Sequence, residues 1–327
     1  MAGEDAVFKI FPRKIRELLE QAGADPGEIQ ELRLRAGRPL FVISGGKEQA
    51  LTIRGRLVPA EGESLPEGLF LVSREQIGET VDLMSRFSLY AAQEEIRQGF
   101  LTIQGGHRVG VAGRTLAENG SVRVMRSISF LNVRVAHEKK GCADRVMRFL
   151  YTENGRFLNT LIISPPRRGK TTLLRDIIRQ ASDGCRAGPG ETWIPGISVG
   201  VVDERSELGA CYEGCPQNDV GARTDVLDCC PKSQGMMMLV RSMSPDLIAV
   251  DEIGGEEDAR AVEYAGSCGC AFAASAHGGS MEEIWEKPGL KRLAEEGFFK
   301  RFILLDKEGP VGRVKGIYDE RGKECLI

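Results

Sequence analysis

Leu161-Ile162-Ile163-Ser164-Pro165-Pro166-Arg167-Arg168-Gly169-Lys170-Thr171-Thr172-Leu173-Leu174 is the stretch that decides the fold. Its apolar opening predicts a strand from Asn159 to Ile163, then a turn, then a helix from Lys170 to Ala181. The pattern approaches Gly-x4-Gly-Lys-Ser/Thr, a phosphate-cradling loop between a strand and a helix. Backbone N–H groups around Gly169, at a helix N-terminus, favour an anion. Lys170 is placed to reach the β- and γ-phosphates of ATP, and Thr171 to offer its hydroxyl oxygen to Mg²⁺. Ser164, Pro165, Pro166, Arg167, Arg168, Gly169 and Thr172 complete the expected nucleotide contact. The match is incomplete. Ser164 stands where the motif has its first glycine, and Arg167 sits where a small residue fits more easily. A bulky residue forced to φ > 0 costs about 1–2 kcal/mol.

Such a loop needs a carboxylate at the end of a neighbouring strand. Leu247-Ile248-Ala249-Val250-Asp251-Glu252 supplies two. Asp251 is the expected Mg²⁺ partner, and Glu252 the group that orients or deprotonates an attacking water. A second strand, Ile197 to Val202, runs into Asp203-Glu204-Arg205, with Glu207 beyond. Strand C-termini of a parallel sheet share one edge, so Asp203 and Glu204 are further catalytic candidates. The blander reading is a surface ion-pair cluster with Arg205. A third strand, Ala271 to Ser275, leads to His277, placed to hydrogen-bond the γ-phosphate or the water. A lone histidine is more often structural. Whether Glu204 or Glu252 is the base stays open.

Outward from this centre, strands alternate with helices. Helices are expected over Ala143–Tyr151, Gly235–Ser242 and Glu256–Ala265. This rhythm predicts a largely parallel, covered sheet. Gly184 to Pro195, rich in glycine and proline, reads as a surface loop, and Phe302 to Leu326 as short terminal strands. Upstream the rhythm differs. A helix is expected over Arg13–Gln21, strands over Ile29–Leu34, Leu40–Ile43 and Leu51–Val58, and helices over Arg74–Ser85, capped by Ser73, and Ala91–Gln98. A hairpin over Leu101–Val111 and a strand over Phe130–Val135 follow. The expected organisation is a smaller α+β domain, 1–137, before an α/β P-loop NTPase core, 138–327.

The 327 residues suffice for two domains. A formal net charge of −3 excludes a generic binder of nucleic acid or membrane surface. The first thirteen residues carry Glu4 and Asp5 early and no apolar core like a signal peptide's, so a cytosolic location is expected. The nine cysteines read as reduced thiols. Cys211-x3-Cys215, Cys229-Cys230 and Cys268-x-Cys270 lack the second half of a zinc motif.

Further stretches carry a resemblance: Ile29-Gln30-Glu31-Leu32-Arg33-Leu34-Arg35-Ala36-Gly37-Arg38-Pro39, Gly106 to Arg114, Val202 to Glu207, Gln217 to Asp228, and Met236-Met237-Met238 through Arg241-Ser242-Met243-Ser244-Pro245 to Glu252. In these the chain resembles the bacterial secretion ATPases of the type II, type IV and pilus-retraction superfamily, and most closely their stage III sporulation branch. The resemblance covers nearly the whole chain. It implies a RecA-like ATPase core using ATP and Mg²⁺. It also implies a homo-oligomer, typically a hexameric ring, and membrane-protein partners in a secretion-like channel between mother cell and forespore, with the ATPase on the mother-cell side. Asp203 and Glu204 then fall at the Asp box, Asp251 and Glu252 at Walker B, His277 at the His box, and Arg241 at an arginine preceding Walker B. The superfamily's N-domain also sends arginines to the phosphates. Gly105 to Lys140 holds seven basic residues against two acids, and Arg123, Arg126 and Arg134 are the candidates.

Two other functions fit parts of the pattern. One is a nucleic-acid-stimulated RecA-like ATPase, disfavoured by the sequence pI near 5.9 and 6% aromatic content. The other is a nucleotide-gated scaffold whose imperfect loop binds without hydrolysing.

Overall fold

The computed structural model describes residues 6–325, apart from 62–63, 87, 89–92, 98, 119–120 and 188–191. The chain divides into two compact units, Met1–His137 and Glu138–Ile327.

Unit 1 contains helices α1 (Ala6–Lys9), α2 (Arg13–Gln21), α3 (Arg74–Met84) and α4 (Gln93–Arg97). Its strands are β1 (Ile29–Arg35), β2 (Phe41–Ser44), β3 (Lys47–Leu51), β4 (Leu57–Pro59), β5 (Phe100–Ile103), β6 (His107–Glu118) and β7 (Ser121–Arg134). They form one antiparallel sheet in the order β4-β3-β2-β1-β7-β6-β5. Helix α2 forms because Ile15, Leu18 and Leu19 share one face, and all three are buried. Helix α3 starts at a reciprocal cap: Ser73 accepts from the Gln76 N–H while the Gln76 side chain accepts from the Ser73 N–H. The continuous strand expected over Leu51–Val58 is instead two strands joined by a turn through Gly55, at φ 63°. The helix expected over Ala91–Gln98 is described for Gln93–Arg97, its ends lying outside the described residues.

Unit 2 holds β8 (Thr160–Ser164), β9 (Gly184–Ala187), β10 (Thr192–Pro195), β11 (Val199–Asp203), β12 (Thr224–Asp228), β13 (Leu247–Val250), β14 (Ala271–His277), β15 (Arg301–Leu305), β16 (Val314–Asp319) and β17 (Glu324–Cys325). Its helices are α5 (Asp144–Met147), α6 (Lys170–Asp183), α7 (Lys232–Ser242), α8 (Glu256–Ser267), α9 (Met281–Trp285) and α10 (Pro288–Glu295). The main sheet runs β12-β11-β13-β14-β8-β15-β16-β17. From β12 to β15 neighbouring strands are parallel; β16 and β17 are antiparallel. The sheet is therefore mixed: the expected largely parallel sheet carries two antiparallel strands at one edge. Every residue of β8, β11 and β13 is buried, as a sheet covered on both faces requires. One apolar cluster lies on each face, around Leu174 and Ile177 on one side and Val262 and Phe272 on the other.

Two local readings change in this unit. The expected Gly184–Pro195 loop is a β9–β10 hairpin, with Thr192–Pro195 pairing to Ala187–Gly184; residues 188–191 lie outside the described set. The helix expected over Ala143–Tyr151 is reduced to Asp144–Met147, because Tyr151 bridges to Phe157 instead.

Candidate functional site

The C-terminal ends of β8, β11, β13 and β14 share one edge, and the site grows from the turns that leave them. Ser164 ends β8 opposite His277 of β14. The loop then rises over Pro165–Arg168 and enters α6 through Gly169, at φ 91°. Only glycine takes this conformation without strain, and space closes it further: a Cβ on Gly169 would lie 3.2 Å from Gly312 Cα and backbone N. Arg167 holds φ 59°, so the strained residue in the loop is a real feature of its backbone. The Ser164 hydroxyl donates to its neighbour's Pro165 carbonyl at 2.8 Å, and Pro166 and Arg167 are exposed. Arg168 turns away from the loop interior. Its guanidinium donates to the Asp306 carbonyl at 3.0 Å and to the Gly309 carbonyl, while its own carbonyl accepts from Gly312 N–H at 3.0 Å. The turn between β15 and β16 thus holds the loop from outside.

Behind the loop, α6 places Lys170 and Thr171 against the end of β13. The Thr171 hydroxyl donates to Asp251 Oδ2 at 2.6 Å. Lys170 Nζ pairs with Glu252 and lies 3.9 Å from Asp251 Oδ1. Ser275, buried in β14, ties both acids together: its hydroxyl donates to Asp251 and accepts from the Glu252 N–H at 3.0 Å. That contact holds Glu252 at φ 58°, a left-handed conformation costing about 1 kcal/mol or more outside glycine. Strain of this kind collects where a side chain must be aimed.

Glu252 is the hub. Besides Lys170, its Oε1 lies 3.0 Å from His277 Nε2, and its Oε2 lies 2.9 Å from the Arg205 guanidinium. Burial opposes the charge, but the Lys170 hydrogen bond and the charges of Lys170, His277 and Arg205 outweigh it and hold the carboxyl below its usual range. His277 Nδ1 is buried without a hydrogen-bond partner.

The remaining acids make other contacts. Asp203 is buried, and its carboxylate accepts the N–H groups of Glu207, Leu208 and Gly209 at 2.8, 2.9 and 2.8 Å. Burial raises its pKa despite these donors. These contacts anchor the loop after β11, and Asp203 shares a small cleft with Glu204, Asp251 and Glu252. Glu204 pairs with Lys232 at the start of α7, not with Arg205 as the surface-cluster reading expects. Arg241 is brought to neither: it lies about 14 Å along α7 from Lys232 at ~1.5 Å per residue, in an exposed groove with Met237, Met238, Arg260 and Tyr264. Thr172 is half-buried, and its carbonyl accepts from the Cys142 thiol at 3.5 Å. Within unit 1, Arg126 is exposed on β7 opposite Arg114, Arg123 pairs with Glu118 at 2.6 Å, and Arg134 lies 4.0 Å from Glu31.

Sequence reasoning missed Ser275, Lys232 and Arg175. Arg175 of α6 donates to the Leu208 carbonyl at 2.7 Å and to the Glu207 carbonyl, bracing the loop after β11 from the other side. No local signal marks these residues, because their roles arise from sheet order.

Chemically, the arrangement offers a left-handed glycine turn at a helix N-terminus, one lysine, and a hydroxyl beside a carboxylate. Both oxygens of the last pair are hard donors, the kind Mg²⁺ takes alongside water and phosphate oxygens. Among the described residues no three His, Cys, Asp or Glu side chains converge to hold a metal alone. No described helix is long and apolar enough to cross a membrane.

Comparison with known proteins places the fold and the family. Solved structures of similar fold include the ATPase DotB of Legionella pneumophila, at TM-score 0.53 and 16% identity over 90% of this chain and 76% of that one. The pilus retraction motor PilT, solved with bound ADP, gives TM-score 0.55 at 14% identity, over 89% and 76%. The stage III sporulation protein AA of Bacillus subtilis (strain 168) is 40% identical over 317 residues, 97% of this chain and 95% of its own. A plant relative, the protein SEEDLING PLASTID DEVELOPMENT 1 of Arabidopsis thaliana, is 30% identical over 59% of this chain but 26% of its own. The family model for sporulation stage III, protein AA, matches residues 1–325. On a mixed α/β fold resembling the secretion ATPases, this chain belongs to the sporulation stage III protein AA family.

Proposed function

We propose that unit 2 is a RecA-like, Mg²⁺-dependent ATPase, and that the chain is the motor of a secretion-like channel acting in endospore formation. The observation that carries this reading is the hub at Glu252. One sheltered carboxylate meets Lys170 of the loop, His277 of β14 and Arg205 after β11, beside the Thr171–Asp251 pair. In this reading the N–H groups entering α6 and Lys170 bind the phosphate tail. Thr171 and Asp251 hold Mg²⁺, which neutralises charge on the phosphates when bound. Glu252 accepts a proton from the water that attacks the γ-phosphorus, and the bond to the ADP oxygen breaks. His277 steadies Glu252 Oε1 through Nε2.

The family supports a sporulation role; a hexameric ring, mother-cell placement and membrane-protein partners belong to the same proposal. Arg126 and Arg134 remain the proposed N-domain contacts to the phosphates. A second reading, a nucleotide-gated scaffold, is favoured by the strained Arg167 and by a Glu252 held on both oxygens.

Purified protein decides between them. The ATPase reading expects Mg²⁺-dependent phosphate release, abolished with binding in Lys170→Ala and abolished with binding retained in Glu252→Gln. Binding without turnover in the parent selects the scaffold. Equal turnover in Lys170→Ala would remove the site assignment.

A further inference from the structure

Arg205 stands apart from the other partners of Glu252. Its side chain is 62% exposed, whereas those of Glu252 and Lys170 are 16% and 7% exposed. Its backbone, by contrast, is fixed. Asp203, two residues before it, accepts three N–H groups of the loop, and Arg175 grips the carbonyls of Glu207 and Leu208. Ser206, at φ 51°, accepts the Cys211 N–H at 3.1 Å. A long, solvent-facing arginine on a rigid loop can swing its guanidinium without moving its Cα.

We propose that Arg205 is a γ-phosphate sensor acting within its own chain: it holds Glu252 Oε2 until a terminal phosphoryl group draws it away, and its departure frees Glu252 to serve as base. The inference rests on the ATPase reading above.

The chemistry favours the exchange in one direction. Arginine binds phosphate bidentately, and a terminal phosphoryl group carries more charge than a carboxylate. In the resting site Arg205 occupies Glu252 Oε2 at 2.9 Å, while Lys170 and His277 lie on Oε1. Moving the guanidinium from Glu252 to the phosphate uncovers Oε2 for a water and stabilises charge on the γ-oxygens. ADP has no γ-phosphoryl group, so it leaves Arg205 on Glu252. No covalent bond changes at Arg205; one charge-assisted contact is traded for others. Lys170 discriminates less, because besides the γ-phosphate it is placed to reach the β-phosphate that ADP shares.

The test uses the full chain with Arg205→Ala, Arg205→Lys and Arg205→Gln, the last retaining a stem if the alanine variant folds poorly. Mg²⁺-ATPγS and Mg²⁺-ADP are titrated by calorimetry. The expected result is a loss of about tenfold or more in ATPγS affinity, the weight of one charged hydrogen bond, with ADP affinity unchanged. Arg205→Lys recovers part of the loss. An unchanged ATPγS-to-ADP ratio overturns the proposal while leaving the ATPase reading intact. A parent protein that binds neither nucleotide overturns both.

Discussion

Thr171 Oγ1 and Asp251 Oδ2 lie 2.6 Å apart although 80 positions separate them in the chain. The contact fixes the two oxygens proposed to hold Mg²⁺. Thr171→Ala and Asp251→Asn should each raise the Mg²⁺ concentration for half-maximal ATP hydrolysis by roughly 10- to 100-fold, the usual cost of disturbing groups around a metal. A magnesium titration of both variants checks this; unchanged half-saturation would place the metal elsewhere.

The Lys170–Glu252 pair is nearly sealed from solvent, so losing one partner strands the other. Lys170→Ala should cost about 3 kcal/mol of stability, as for a broken buried pair. Adding Glu252→Gln should return part of that loss. Urea unfolding of both single variants and the double variant measures the coupling, and simple additivity would mean that the pair contributes nothing.

Arg167 sits at φ 59° on an exposed turn. Arg167→Gly removes strain of about 1–2 kcal/mol, partly offset by the greater freedom of unfolded glycine. The expected outcome is a stability gain of up to about 1 kcal/mol with turnover kept or raised. A large loss of turnover in the same assay would give Arg167 a role of its own.

Glu252 also sets an acid dependence. Its folded pKa is below the ordinary 4.5 of the unfolded chain. Its contribution to stability is therefore present above about pH 4.5 and disappears as pH falls through the lower folded value. Melting temperatures of the parent and Glu252→Gln between pH 7 and 3 should converge as the solution becomes acidic. A gap that widens toward low pH would contradict the sign.

Thiol chemistry should split by environment. Burial, with Asp176 nearby, pushes Cys142 up to about 12, and burial, with Asp228 and Asp203 nearby, does the same to Cys211. Cys215, Cys229 and Cys268 are exposed. Iodoacetamide at pH 8, read by peptide mass mapping, should label the exposed three long before Cys142 or Cys211. Early labelling of Cys142 would show that α6 opens readily.

The sequence was most legible where the signal was local. Leu247–Val250 is short, apolar and bounded by Pro245 and two acids, and β13 has those limits. Ser73 and Gln76 announce their own cap. The β9–β10 hairpin was misread because Gly184 and Pro195, which look like loop residues, are instead its paired ends. Site residues followed the same division. Loop and strand-end positions could be named from pattern alone. The sequence could not say that Asp203 turns into its own loop, that Glu204 meets Lys232, or that Ser275 joins both acids. Those contacts follow from β13 lying between β11 and β14, an order that no local pattern encodes.

The hold of the β15–β16 turn on the loop has a consequence for timing. Gly169 packs against Gly312, and Arg168 reaches Asp306, 138 positions later. A chain growing at roughly 5–20 residues per second makes its phosphate-loop residues on the order of ten seconds before the segment that braces them. Strand β8 likewise waits for β15, its neighbour on one side. Competence to grip a nucleotide should then arrive only after Asp306 and Gly312 have been made, so a nascent chain would not engage ATP before β15 and the turn beyond it are laid down.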